Sequence, residues 1–424
     1  MSEDRHLPES RLGRFARLAA MGVRTGASIL VDREGGSAAE HAAEVLGQLR
    51  GLAAKVGQMA SYVDGLVPEA QAGAFEASLK ALRAQAPRSS PAAIRKLVEE
   101  ELRQPVDALF AEWDDSPIAS ASIGQVHRAR LADGREVAVK VQHPGIARAV
   151  ESDLANASLL ESFVGALGGK RFDTRALLHV VRTRFREELD YVREAENVRA
   201  FARLHAGDPT VRVPGLVDSH CGGRVLTTEL ARGASFEEAC TASEVERRAW
   251  AETMWRFVFK GTLVGGLLNA DPHPGNYVFH DAGHVTFLDY GCIQPFGERR
   301  PHAVRIHRSA IARDEVAFAT HVARMIRSKP GRLEDVAIEY TRKCFEPLFA
   351  SPYRIERAFA AGLVGGMREM ATLARKVSGE QLFTMPPEML FVNRLQFGFY
   401  SVLARLDVEV DFAAIERGFL HLAD

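Results

Sequence analysis

The chain has 424 residues, 46% of them apolar, and its 54 basic and 55 acidic side chains leave a net charge of −1. That length accommodates about two to three domains with sizeable cores. The lack of a basic excess argues against nucleic acid as the main partner, because phosphate backbones are bound by a basic face.

The first 34 residues form a basic amphipathic segment. Between Ser10 and Val31 lie Arg11, Arg14, Arg17 and Arg24 and no acid, while Leu12, Phe15, Leu18, Ala19 and Val23 gather on the other side at helical spacing. Two readings follow: an interfacial helix for an anionic membrane surface, or a helix docked on the body with its basic face in solvent. The opening Glu3 and Asp4 and the lack of an apolar core argue against a signal peptide. Residues 35–114 read as a helical extension, with helices over Ala42–Tyr62, Pro68–Ala84 and Pro91–Arg103. Lys55 and Gln58, three apart, share one face of the first.

Residues 115–230 carry the strand signals. Ile118-Ala119-Ser120-Ala121-Ser122-Ile-Gly124 stands where a loop covering nucleotide phosphates belongs, stiffer than a glycine-rich one. Strands are expected at Gly124–Leu131 and Glu136–Gln142, joined by a hairpin turn at Asp133-Gly134. The second strand delivers Lys140 to α/β-phosphates. A helical insertion, Ile146–Leu167, precedes a long helix from Thr174 to Leu204. On it Asp190 and Glu194 share a face, Glu188 points elsewhere, and Glu194 is the expected partner of Lys140. Strands Val211–Asp218 and Arg224–Thr228 lead to Thr228-Glu229-Leu230, a hinge placed against adenine.

Residues 231–424 read as mainly helical. A helix over Glu244–Leu268 feeds the stretch Asn269-Ala-Asp271-Pro-His-Pro-Gly-Asn276, followed by Phe287-Leu-Asp289-Tyr-Gly291. Kinase-type phosphoryl transfer needs that order: a carboxylate at the reacting hydroxyl (Asp271), an amide oxygen on Mg²⁺ (Asn276) and a carboxylate on Mg²⁺ (Asp289). His273, between two prolines, is expected to shape the loop. The aromatic stretch Phe391–Tyr400 reads as core packing or as a lipid-facing groove. Phe257–Leu268 is interrupted by Lys260 and glycines and is too short to cross a bilayer. Cys221, Cys240, Cys292 and Cys344 show no C-x-x-C spacing, which argues against zinc or a disulfide framework and favours a reducing cytoplasm.

Together these motifs resemble the UbiB (AarF-type) atypical kinase family. Lys55-Val-Gly-Gln58 matches its K-x-G-Q motif, Ala119-Ser-Ala-Ser122 its alanine-rich loop, Glu188-Leu-Asp190 its E-x-D motif, and Asp271 to Asn276 with Asp289-Tyr-Gly291 its metal-binding pair. Asn269, where many members have His or Gln, and Tyr290, where Phe is commoner, are departures. The resemblance implies an α+β, bilobal protein-kinase-like fold with the N-terminal helical extension packed over the cleft. Lys55 and Gln58 would regulate the site by meeting Glu188 and Asp190. It further implies ATP or ADP with Mg²⁺, and a role in ubiquinone or other isoprenoid-lipid metabolism. A quinone or isoprenoid lipid, an anionic membrane surface and lipid-biosynthesis proteins are the partners it suggests, with the protein cytoplasmic or peripheral on the inner face of the membrane. Two alternatives stay open: a nucleotide-switched, non-catalytic lipid-binding scaffold, and a small-molecule kinase of the aminoglycoside or choline type.

Overall fold

A computed structural model of the chain describes residues 89–120, 123–148, 151, 186–269, 271–327, 330–363, 365–366 and 387–423, with side chains at 387–396 excepted. The basic N-terminal segment, the K-x-G-Q helix with Lys55 and Gln58, Ala121, Ser122 and most of the expected insertion lie outside the described residues.

The described stretches fall into two compact units. One takes residues from 89–98, 115–127 and 140–189, and the other residues from 99–114, 128–139 and 190–423. Helix α1 (Pro91–Leu102) buries Ile94, Leu97 and Val98 on one face. Then come β1 (Glu112–Trp113), β2 (Ala119–Ser120), β3 (Gly124–Arg130) and β4 (Glu136–Gln142). β1 pairs antiparallel with the end of β3, Trp113 opposite Ala129, and β2 with its start, Ala119 opposite Val126. The β3–β4 turn is the expected Asp-Gly one. Gly134 adopts φ +88°, and the Asp133 carboxylate accepts the Arg135 N–H at 3.0 Å.

The long helix expected from Thr174 to Leu204 is broken. A helical stretch at 186–188 ends at Leu189, and a new helix, α2 (Tyr191–Leu204), starts behind Asp190, whose side chain accepts the Arg193 N–H at 3.1 Å. Asp190 is therefore an N-cap, with non-helical backbone, and does not share a helix face with Glu194. After α2 come β5 (Val211–Arg212) and β6 (Val225–Glu229), with β6 closing the sheet order β1-β3-β4-β6.

The core of the larger unit forms around α3 (Glu244–Leu263). A reciprocal Ser243/Glu246 capping box starts this helix. Trp250, Met254, Trp255, Phe257, Val258 and Leu263 are buried, so packing surrounds it. The helix stops at Gly265-Gly266, where Gly266 takes φ +64°, and the chain enters β7 (Leu267–Asn269) instead of continuing helical to Leu268 as expected. Strands β8 (Tyr277–Phe279), β9 (Val285–Phe287) and β10 (Ile293–Pro295) follow. Beyond them lie α4 (Arg300–Ala312), α5 (Glu315–Ile326), α6 (Arg332–Cys344), β11 (Tyr353–Arg354), α7 (Pro387–Leu406), β12 (Glu409–Val410) and α8 (Phe412–Leu420). Phe399 and Tyr400 of α7 are core residues. No helix of the described residues is long and apolar enough to cross a membrane.

Two polar groups are embedded in this core. Glu416 of α8, fully buried, accepts the Trp255 Nε1–H at 3.0 Å and stands 2.7 Å from His307 Nδ1. His205, just past α2, stacks near Phe257 (centroids 5.1 Å) and Phe201 (6.1 Å), and neither ring nitrogen has a hydrogen-bond partner. Burial, reinforced by the Lys260 ammonium, pushes its pKa down from 6.5 to about 4. The unfolded chain takes up this proton near pH 6.5 and the folded chain only near 4. Stability present above pH 6.5 is thus lost as pH falls through that window, by up to about 3 kcal/mol. Urea denaturation of His205→Phe should show a shallower loss between pH 6.5 and 4 than wild type. Parallel pH profiles would overturn the assignment.

Candidate active site

Two antiparallel ladders assemble the site. β7 pairs with β10, Asn269 opposite Ile293, and β8 pairs with β9, Tyr277 opposite Phe287. One step beyond the second ladder, the Leu288 N–H donates to the Asn276 carbonyl at 2.9 Å. Hairpin register therefore brings Asn276 alongside Asp289. Both line a small cavity with Asp271 and Pro272, floored by Phe257 and Phe287, which stack in parallel with centroids 3.5 Å apart.

Backbone and amide bonds hold the two acid-bearing segments. The Asn269 side chain accepts the Asp271 N–H at 3.2 Å and donates to the Asp289 carbonyl at 3.1 Å. A single amide thus ties both segments together. Asn276 Nδ2 donates to the Asp271 carbonyl at 3.1 Å, which orients the amide and leaves Oδ1 as its acceptor. The Asp289 carboxylate accepts the Gly291 N–H at 2.9 Å, and Asn197 of α2 donates to the Tyr290 carbonyl at 2.9 Å. His273 Nδ1 accepts the Gly275 N–H at 3.0 Å, so the imidazole caps the 3-10 turn Pro274–Asn276.

Glu194 reaches the same place from α2. It is buried, and a Cβ built at Gly291 would stand 3.3 Å from Asp289 Oδ1 and 3.4 Å from Glu194 Oε2. Glycine lets both carboxylates close on this point without crowding. Two carboxylates meeting at one glycine come within reach of a single cation. The phenols beside them stay neutral: burial, and then the charge of Asp271, pushes Tyr277 far up, and burial with Asp289 does the same for Tyr290. The Tyr290 hydroxyl is buried without a hydrogen-bond partner. That omission costs about 1–3 kcal/mol, which the commoner Phe would avoid. From the far side, α7 presses on the loop at Gly398, where a Cβ would collide with Pro272 Cγ at 2.4 Å.

The structure thus gathers Glu194, Asp271, Asn276 and Asp289. The other expected site residues lie on other elements. Lys140 sits on β4 between buried Val139 and Val141. Ala119 and Ser120 belong to β2, so the first half of the expected phosphate loop is a strand with regular pairing. Glu188 is half-buried just before Leu189, whose carbonyl accepts the Gln142 Nε2–H at 2.7 Å. Glu229 is exposed and accepts the Gly215 N–H at 3.3 Å. Sequence reasoning missed the bridging work of Asn269 and Asn197. The first carries a local signal, a short amide two residues before Asp271, able to form an Asx turn; the second carries none.

The donor set fits Mg²⁺, a hard cation commonly held by one or two protein carboxylates together with phosphates and water. Asp289 supplies charge and Asn276 an oriented amide oxygen. A model of the ABC1 atypical kinase-like domain matches residues 81–322, more than half of the chain. The chain belongs to that family. It is the UbiB/AarF kinase group whose motifs the sequence resembles, a family of phosphotransferase type with a kinase-like fold. Among the ABC1 relatives, rat mitochondrial atypical kinase COQ8B is 29% identical over 96% of this chain and 80% of its own length. Mitochondrial atypical kinase coq-8 of Caenorhabditis elegans is also 29% identical over 96% of this chain, but over only 57% of its own length. A solved structure, the complex of Mycobacterium tuberculosis Rv3197 with erythromycin, aligns over 98% of this chain and 100% of that one. Its TM-score of 0.62 at 24% identity supports the kinase-like fold alone.

Proposed function

We propose that this ABC1-family chain binds ATP with Mg²⁺ and acts as an atypical kinase or ATPase of the UbiB type, in support of ubiquinone or other isoprenoid-lipid metabolism. The observation that carries the reading is the convergence of Glu194 and Asp289 at Gly291, beside the oriented amide of Asn276. In this reading Asp289 and Asn276 hold Mg²⁺, which supplies charge neutralisation along the phosphates. Lys140 holds the α/β-phosphates, and Glu194 orients its ammonium. The strand at Ala119-Ser120 and the hinge backbone at Glu229 border the nucleotide. Asp271, fixed through its N–H by Asn269, positions the acceptor oxygen and takes its proton. Phe257 and Phe287 exclude water from beneath the site.

The lipid-pathway assignment follows the family and its mitochondrial relatives, and an isoprenoid or quinone lipid at a membrane surface is the partner it favours. The chemical step is tested with Asp271→Asn, which keeps size and backbone bonding but removes the base. ATP binding should persist while phosphate release, or self-phosphorylation, falls by about 10²–10⁴-fold. Equal turnover by wild type and variant would remove Asp271 from the chemistry.

A further inference from the structure

α4 and α5 form a helical hairpin closed by Arg313-Asp314, with Arg313 left-handed (φ 59°) and the Asp314 side chain capping α5 through the Ala317 N–H at 2.9 Å. The hairpin lays the start of α4 beside the end of α5. On α4, His302 is followed one turn later by Arg305; on α5, His321 is followed by Arg324, and Arg327 is the left-handed residue that ends the helix. Residues three apart share a helix face, so one His–Arg stripe opposes another. The two imidazole centroids lie 6.4 Å apart.

Several observations make this an uncompensated site. Arg305, Arg324 and Arg327 are exposed, and among the described residues the charges acting on the two rings are arginines and the neighbouring histidine, with no acid. Glu298 lies 3.7 Å from Arg327, but both side chains are mostly in water, where such pairs contribute little. Neighbouring arginines, by contrast, have structural work: Arg299 donates to the Met325 carbonyl at 2.8 Å and Arg300 to that of Leu263 at 2.7 Å. The Nδ1 atoms of both histidines are buried without hydrogen-bond partners. Burial and then the arginines push both imidazoles below their usual range, so they are neutral until something negative arrives.

Guanidinium groups are suited to bidentate contact with phosphate oxygens, and an imidazole beside a dianion gains a proton readily. We propose that the α4–α5 face, centred on His302, His321, Arg305 and Arg324, binds the phosphate monoester of a ligand, separately from the proposed nucleotide site. The group could be carried by a soluble molecule or presented as a lipid headgroup; the recognising chemistry is the same. Binding should tighten as pH falls, because both rings charge against the anion.

The test follows the imidazole signals of the full chain by NMR, assigned with His302→Gln and His321→Gln, while Mg²⁺-free inorganic pyrophosphate is added. Both rings should titrate at higher pH when pyrophosphate is present. The Arg305→Ala/Arg324→Ala variant should bind at least tenfold more weakly while keeping its melting temperature and its response to Mg²⁺-ATP. A second arm uses phosphatidylcholine vesicles with and without phosphatidic acid. A response to pyrophosphate identifies a soluble phosphate, and a response to phosphatidic acid vesicles alone identifies a headgroup; both support the site. Unchanged ring titrations in both arms, or equal binding by the double variant, would overturn it. Retained Mg²⁺-ATP response in the variant separates failure here from failure at the nucleotide site.

Discussion

In Asp289→Ala, Mg²⁺-ATP should raise the melting temperature no further than ATP in the presence of a chelator. A ligand at a hundred times its Kd stabilises the folded state by about 2.7 kcal/mol, so the wild-type shift is large enough to read. Asp289 is held in position by the Gly291 N–H and faces the same glycine as Glu194. Removing it takes away charge that the hard cation requires. Asp289→Asn serves as the control for shape, because its amide oxygen can still accept from Gly291 while the charge is gone. Both variants should lose the Mg²⁺-dependent part of the shift. A full shift in either one would refute the metal assignment.

Glu416→Ala should be among the most damaging single changes in the helical core. It strips the buried partner from the Trp255 indole N–H and from His307 Nδ1 at once. Leaving a buried hydrogen-bonding group unsatisfied typically costs about 1–3 kcal/mol. Urea denaturation should register a drop of that size. Glu416→Gln, which retains one acceptor oxygen, should fall between variant and wild type. A loss below about 1 kcal/mol in the alanine variant would show that the core relaxes around the vacated partners.

Proximity that depends on local spacing is legible in the sequence. Asp271, Asn276 and Asp289 line one cavity because a single hairpin, Tyr277–Phe287, joins them, and the Asp133-Gly134 turn and its flanking strands fall within a residue of their expected bounds. Features set by tertiary competition were not legible. The pattern through 174–204 looks continuously helical, yet Asp190 prefers to cap a new helix. Leu267 and Leu268 extend the apolar periodicity of α3, although Gly265-Gly266 already marked its end and β10 claims them as a strand. Ala119-Ser120 carries no strong strand propensity and is a strand because β3 offers an edge. That Glu194 and Asp289 meet at Gly291 depends on how α2 packs against the Asp-Tyr-Gly turn, which no periodicity encodes.

Gly398 gives the loop an unusually stiff neighbour. Most helices rest on a loop through side chains that can change rotamer and absorb small displacements, much as a spring isolates vibration. Here the backbone of α7 abuts the ring of Pro272 with nothing compliant between them, and the ring is itself locked to its backbone. Travel of α7 toward the loop meets the Pro272 ring directly. The helix therefore acts as a mechanical stop for Pro272, the residue next to Asp271. Phe399 and Tyr400, buried immediately after it, anchor that stop in the core.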